Sequence, residues 1–236
     1  MRLLFQSSLL FIFILISGSL SAQRIQSPKT DAYQTGIDLF EKGFFEESLK
    51  KLNHFKSNYS GSELSPFADY YIARANTGID SSGIEYYYQN FIRDYPKHDL
   101  SKKLLRDLGH RFSDSGKYDE AISYYQESLK TFNTVATSAE TEYWVAEAAA
   151  EKGDNDAARK YFLALADNYP ESDWSPKALY ARGRLYLSDN KFDSSSIAFE
   201  ILKERYPNDP VTRRVGTALG ESYYQQGKYE EAIEAL

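Results

Sequence analysis

Histidine is the side chain most often used for acid–base work and metal binding at neutral pH, and this chain has three: His54, His98 and His110. Read against the repeat described below, they fall on different kinds of element: a second helix of a pair, a connector and a first helix. No His-x-x-x-His pair occurs and there is no cysteine, so a zinc site lacks its usual nitrogen and sulfur ligands. The same absence removes a thiol nucleophile and any disulfide. Serine is abundant, yet no Gly-x-Ser-x-Gly elbow and no Gly-rich phosphate loop ending in Lys-Ser or Lys-Thr appears. The carboxylate pairs Glu46-Glu47 and Glu230-Glu231 recur with similar neighbours at helix N-termini. Negative side chains complement the helix dipole there, and that role accounts for them without acid catalysis. The sequence therefore implies no enzyme, no cofactor and no metal.

Binding is the chemistry that the spacing does support. Arg106, His110, Tyr143, Glu147, Tyr180, Arg184, Thr217, Glu221 and Tyr224 flank small residues in successive first helices, and Tyr143 and Tyr180 stand 37 residues apart. Tyrosine supplies contact area at low entropic cost. Tyr repeated beside Arg or Glu suits an extended peptide segment of a partner protein; the alternative is a plain solvated groove. The chain carries 28 Lys and Arg against 34 Asp and Glu, interleaved rather than clustered. That pattern gives no basis for nucleic acid, an anionic membrane surface or a small-molecule substrate as the partner.

These side chains are positioned by an internal repeat. The phrase Gly116-Lys117-Tyr118-Asp119-Glu120-Ala121-Ile122 returns as Gly227-Lys228-Tyr229-Glu230-Glu231-Ala232-Ile233. A looser form is Gly43-Phe44-Phe45-Glu46-Glu47-Ser48-Leu49. Its small residue falls at Ser48, Ala121, Ala158, Ser195 and Ala232, the last four 37 apart. A second marker agrees: Tyr59, Tyr95, Phe132, Tyr169 and Tyr206 are separated by 36, 37, 37 and 37, and three of them precede Pro. Leu105, Leu108 and Phe112 share a face at helical spacing. Gly116 ends that helix, because glycine tolerates the left-handed conformation. Ala121, Tyr125, Ser128 and Phe132 line a second helix, and Tyr-Pro closes such helices elsewhere. Small residues at Gly36, Gly109, Ala146, Gly183 and Gly220 mark close approach of the partner helix, with the Ala or Ser of the second helix expected opposite. Tyr88, Tyr125, Phe162 and Phe199 fill the space around each small pair as core.

Small-x-x-aromatic in the first helix, the Gly-x-aromatic-x-x-Ala turn and the closing Pro resemble tetratricopeptide repeats over about residues 29–236. The resemblance implies an all-α, right-handed superhelical solenoid of about six antiparallel helix pairs that binds proteins on its concave face. Three departures stand out. The period is 36–37 rather than 34. The second unit has Ile72 where a small residue is expected and Asp80-Ser81-Ser82-Gly83 at its turn. The sixth unit stops at Leu236 within its second helix, which predicts further units beyond it. The stretch from Tyr143-Trp144-Val145-Ala146 to Asn168-Tyr169-Pro170-Glu171-Ser172 is similar to two exported subfamilies: the periplasmic Tol–Pal-associated cell-division coordinators and the lipoprotein subunits of the outer-membrane β-barrel assembly machinery.

The N-terminus fits export. Arg2, the apolar run Leu9–Ile16 and Ser17-Gly18-Ser19-Leu20-Ser21-Ala22 read as a signal peptide cleaved after Ala22; an uncleaved anchor is the alternative. Loss of Arg2 takes the net charge from −6 to −7. The expected organisation is a signal peptide at 1–22, a linker at 23–28, and units at 29–64, 65–100, 101–137, 138–174, 175–211 and 212–236. The function expected is a non-enzymatic scaffold in the periplasm, or associated with the outer membrane or cell surface, that holds envelope proteins or their peptide segments and touches membranes only through them. The alternative is the non-catalytic N-terminal repeat region of a longer envelope enzyme or assembly and transport accessory protein.

Overall fold

The computed structural model describes residues 28–131 and 135–236. The leader, its cleavage site and Phe132 lie outside the described residues. Twelve α-helices follow one another as six antiparallel pairs, with no strand among the described residues. The pairs are α1 (Pro28–Glu41) with α2 (Phe45–Asn58), α3 (Ser65–Ile79) with α4 (Ile84–Asp94), and α5 (Asp99–Asp114) with α6 (Tyr118–Thr131). They continue with α7 (Val135–Glu151) and α8 (Asn155–Asn168), α9 (Trp174–Ser188) and α10 (Phe192–Arg205), and α11 (Val215–Gln225) and α12 (Tyr229–Ala235). Helix α1 opens at Pro28, inside the stretch read as linker.

Backbone chemistry sets the turns. Gly43, Gly116, Gly153 and Gly227 have φ between +74° and +90°, and Asn190 takes the same place in the fifth pair at φ 57°. The left-handed region costs glycine nothing and asparagine little. The second pair turns instead through a short 3₁₀ stretch, Ser81–Gly83, where Asp80 accepts from the Ser82 N–H at 2.9 Å.

The connectors among the described residues are regular as well. Tyr59, Tyr95, Tyr169 and Tyr206 cap their helices. Three residues on, the side chains of Ser62, His98, Ser172 and Asp209 accept from the backbone N–H two residues further along, at 2.7–3.3 Å. Six residues on, Ser101, Ser175 and Thr212 donate to the capping tyrosine's carbonyl at 2.6, 2.5 and 2.7 Å. The connectors after α4, α8 and α10 thus satisfy orphan groups of one helix end and the next helix start.

Within each pair, the small residue of the first helix lies under a large residue of the second. A Cβ on Gly36 would stand 2.6 Å from Leu52, on Gly109 2.3 Å from Tyr125, and on Gly183 2.5 Å from Phe199. At Gly36, Gly109 and Gly183 the nearest contact is therefore made by the residue sixteen positions on, whereas at Gly220 the Ala232 carbonyl, at 3.1 Å, stands as close as Leu236, at 3.2 Å, and the contact is shared with the small residue twelve positions on. The latter contributes through its hydroxyl where it is serine: Ser48 and Ser195 donate to the carbonyls of Gly36 and Gly183 at 2.8 and 3.0 Å. Ala121, Ala158 and Ala232 are buried at the same place.

Ile72 is not the small residue of the second pair. Ala73 is, packed in one cluster with Tyr88, while Ile72 faces backward onto Leu52 and Phe55 of the preceding pair. Leu108, Val145 and Leu219, each just before a small residue, likewise pack on the preceding second helix. In the second pair the 3₁₀ stretch replaces the start of the second helix and Tyr88 follows Ala73 by 15 residues instead of 16, which shifts the apparent register by one.

Gly109→Ala should lower unfolding free energy by about 1–3 kcal/mol, because overpacking against the Tyr125 ring outweighs the gain in helix propensity. Gly61→Ala, with nothing within 4 Å, should leave it unchanged or raised by up to about 1 kcal/mol. Urea titration followed by circular dichroism checks both, and equal effects at the two sites would remove the close-approach argument.

Candidate functional site

Consecutive first helices approach one another, α1 with α3, α7 with α9 and α9 with α11, whereas second helices do not meet to that extent. The first-helix layer is thus the inner side of the curved stack, as stacked-repeat geometry requires. Two register positions point into it, three residues before and one residue after the small residue. Arg106, Tyr143, Tyr180 and Thr217 occupy the first; His110, Glu147, Arg184 and Glu221 occupy the second. Arg184, Thr217 and Glu221 are exposed, and the other five are half-buried.

The half-buried ones are already engaged. Arg106 forms an ion pair with Glu140 of the next pair. His110 Nδ1 lies 2.8 Å from the Tyr125 hydroxyl, and its ring meets Trp144 edge-on at 4.9 Å. Tyr143 packs on Phe162 at 5.4 Å and on Trp174 at 4.9 Å. Tyr180 lies 5.8 Å from Phe199, with the Arg214 guanidinium 5.9 Å above its ring. Tyr224 lies on the same face of α11 as Thr217 and Glu221, exposed beside Tyr229 at 5.4 Å.

With Ala73 fixing the register, the row extends to Tyr70 and Arg74, which the sequence reading missed because Ile72 stood in the wrong place. Arg74 lies 5.0 Å from the Phe40 ring and 5.4 Å from the Tyr70 ring, and its Nη1 donates to the Tyr70 hydroxyl at 3.3 Å. Lys103 and Lys177 stand over Tyr70 and Trp174 at 5.7 and 4.2 Å. Cations over ring faces gain from the ring quadrupole. The inner face is therefore a ladder of aromatic rings carrying cations, interrupted at α7 by Glu140 and Glu147.

The histidines stay apart: His54 is on α2, His98 caps α5, and His110 faces Tyr125. Among the described residues no group of three or more His, Cys, Asp or Glu is placed to hold a metal ion. Glu46, Glu47, Glu230 and Glu231 sit in the first turns of α2 and α12.

The tetratricopeptide repeat profile matches residues 106–173 and 180–236, more than half of the chain. This chain belongs to the tetratricopeptide repeat family. Among solved structures, a tetratricopeptide repeat protein from Parabacteroides merdae is similar at 13% identity and TM-score 0.56, over 88% of this chain and 77% of that one. BtubC from P. vanneervenii is similar at 15% identity and TM-score 0.58, over 89% of each chain. PilW, described as a widely conserved type IV pilus biogenesis factor, is similar at 11% identity and TM-score 0.52, over 89% of this chain and 91% of that one. No protein of curated function matches by sequence. These likenesses show the fold alone, a tetratricopeptide-type helical scaffold, and the family match indicates no enzymatic family.

Burial marks the centre of the inner face of this tetratricopeptide repeat stack. Desolvation holds the Glu147 carboxyl above its ordinary range, against the opposing hydrogen bond from Tyr143. Asp107, one residue before Leu108, is raised by the same cause despite nearby Lys103 and Arg74. A carboxyl raised by folding binds its proton more tightly in the folded state, so its ionised form opposes folding. That penalty is present at neutral pH and fades as pH falls to the ordinary carboxylate value near about 4. Glu147→Gln should therefore raise the thermal midpoint at pH 7.5, and the difference from the parent should shrink toward pH 4. A gain that instead grew toward acid would reverse the assignment.

Proposed function

We propose that this chain is a non-catalytic scaffold of the bacterial cell envelope, most at home in the periplasm, which holds extended segments of partner proteins along the inner face of its first helices. The observation that carries the reading is the fixed register of that face. Arg106, Tyr143, Tyr180 and Thr217 return every 37 residues, with Arg74, His110, Glu147, Arg184 and Glu221 beside them, while Tyr70 holds the same register place but is buried. A segment lying along the stack meets a Tyr or a charge at each step, and aromatic and Arg side chains dominate the energetics of such contacts. The aromatic rings are pre-packed on the core beneath, so little rotamer freedom is lost on binding.

Export rests on the leader Met1–Ala22, and the envelope on the leader together with the likeness to a pilus biogenesis factor. Among the described residues no helix is long and apolar enough to cross a membrane, so this reading brings the repeats to a membrane through partners.

A photo-reactive amino acid at Arg184 should yield covalent adducts in intact cells. The same probe at Ile197, exposed on α10 of the second-helix layer, should yield few. Adding Tyr143→Ala and Tyr180→Ala should cut the Arg184 adducts about thirtyfold, as loss of two aromatic contacts worth near 1 kcal/mol each implies. Equal adducts from both faces, or adducts indifferent to the double substitution, would remove the inner-face assignment. Export has its own check: the mature protein should begin at Gln23 by mass spectrometry and be open to protease after outer-membrane permeabilisation. A full-length, protected chain would place it elsewhere.

A further inference from the structure

A third register position shares the inner stripe of each first helix. It lies three residues before the first of the two described above, and steps of three and four keep one helical face. Lys103, Glu140 and Lys177 occupy it on α5, α7 and α9, and both lysines are exposed. The lysines are 74 residues apart in the chain, so no basic run betrays them, and the stack sets them on one face with Arg74 and Arg184. Two of these cations share one ring: Lys103 Nζ lies 5.7 Å and the Arg74 guanidinium 5.4 Å from the Tyr70 centroid. Lys177 Nζ lies 4.2 Å from that of Trp174. Among the described residues none of Arg74, Lys103, Lys177 and Arg184 is in an ion pair. A ring attracts a cation without neutralising it. Each ammonium therefore keeps its charge while its position is restrained, which lowers the ordering cost of meeting an anion.

The acids of the same face are answered or withdrawn. Glu140 pairs with Arg106. Glu147 is half-buried and accepts from Tyr143. Asp107 is half-buried beside Lys103 and Arg74 and offsets one of them. Asp114 and Glu151 stand farther along the stripe, at its turn end. The chain as a whole is acidic, with 34 Asp and Glu against 28 Lys and Arg. Unpaired cations along its inner face are thus segregated charge, and such a face selects an acidic partner over a basic one. Residues 1–27 contain no Asp or Glu, so that part of the chain does not supply the complement. Helices α5 and α9, with α7 between them, stand about 20 Å apart at about 10 Å per helix contact. Extended chain covers that distance in about six residues.

We infer that the inner face takes an extended acidic segment of a partner protein, with one carboxylate at Lys103, a second about six residues along at Lys177, and an apolar or aromatic residue between them over Tyr143. This rests on the inner-face reading above and names the chemistry of its partner. The probe is the fluorescein-labelled peptide Asp-Asp-Ser-Ala-Tyr-Ala-Ser-Asp-Asp, followed by fluorescence anisotropy against the mature chain. Saturable binding is expected, weakening several-fold as salt rises from about 0.05 to about 0.3 M, and the same peptide with Lys for Asp should not bind. Lys103→Glu and Lys177→Glu should each weaken it about tenfold with unchanged circular dichroism. Lys160→Glu, the same charge change at an exposed site on α8 of the second-helix layer, should leave it unaltered. No binding, or an equal loss from Lys160→Glu, overturns the inference. So does tighter binding of a labelled oligothymidine at the same salt, or a dimer in light scattering that Lys177→Glu dissociates. Arg184 adducts in cells that persist with Lys103→Glu and Lys177→Glu combined would overturn the acidic partner and leave the inner face standing, whereas loss of the preference for Arg184 over Ile197 would remove the face itself.

Discussion

The structure depends on one repeated contact: a large side chain of each second helix laid directly on a first helix where that helix has no side chain to hinder it. Tyr125 on Gly109 and Phe199 on Gly183 bring two helix axes close enough for the pair to share one dry interior. A glycine in mid-helix costs about 0.5–1 kcal/mol relative to alanine, and the ring seated on it offsets that loss through dispersion and burial. The residue just before the glycine then points the other way, onto the preceding pair. A single turn of helix thereby serves two interfaces, one within its hairpin and one between hairpins. This is why no pair is a stable unit alone and why stability accumulates along the stack.

The inner face follows from the same geometry. Once the small residue faces the second helix and its predecessor faces backward, the residues three before and one after it turn toward the inside of the curve. Their periodic recurrence is a consequence of core packing, and their identities are only partly set by it, since Tyr143 and Tyr180 rest on core rings while Thr217 is exposed. That freedom is visible: Arg106, Tyr143, Tyr180 and Thr217 share one place and differ in chemistry. A solenoid of this kind separates the constraint that folds it from the surface that recognises a partner.

The fold was legible because its markers are residues with few substitutes. Gly at φ near +80°, Tyr capping before Pro and a small residue under a ring each have a physical reason to recur, and several of them together set the period. What the sequence concealed was local register. The 3₁₀ turn at Ser81–Gly83 shortens the second pair by one residue, so Ile72 was set where Ala73 belongs, and Tyr70 and Arg74 dropped out of the inner row. The connector device was hidden for a different reason. Its +3 position is Ser, His, Ser and Asp in turn, residues alike only in having a side-chain acceptor two residues before a free backbone N–H. Identity-based periodicity misses equivalence of this sort, and hydrogen-bond accounting finds it.

The boundary between the fourth and fifth pairs shows how far the packing rule bends. Where Ile72, Leu108, Val145 and Leu219 stand in other pairs, α9 has Arg182, and α8 buries Arg159 where α6 has Ile122. Both guanidiniums lie on the Tyr186 ring, at 4.8 and 5.2 Å. Arg159 is answered by Asp156 and Asp189, each at 2.5 Å, and by the Leu185 carbonyl at 3.3 Å. The methylenes of these long stems fill space that a branched aliphatic would otherwise occupy. A buried ion pair adds little net stability over apolar packing, but its geometry tolerates few alternatives. At this seam the order of the pairs is fixed by charge and ring stacking, and at the neighbouring seams by shape. A stack of near-identical hairpins needs such a mark, because apolar interfaces as alike as those of the third and sixth pairs do not by themselves distinguish one neighbour from another.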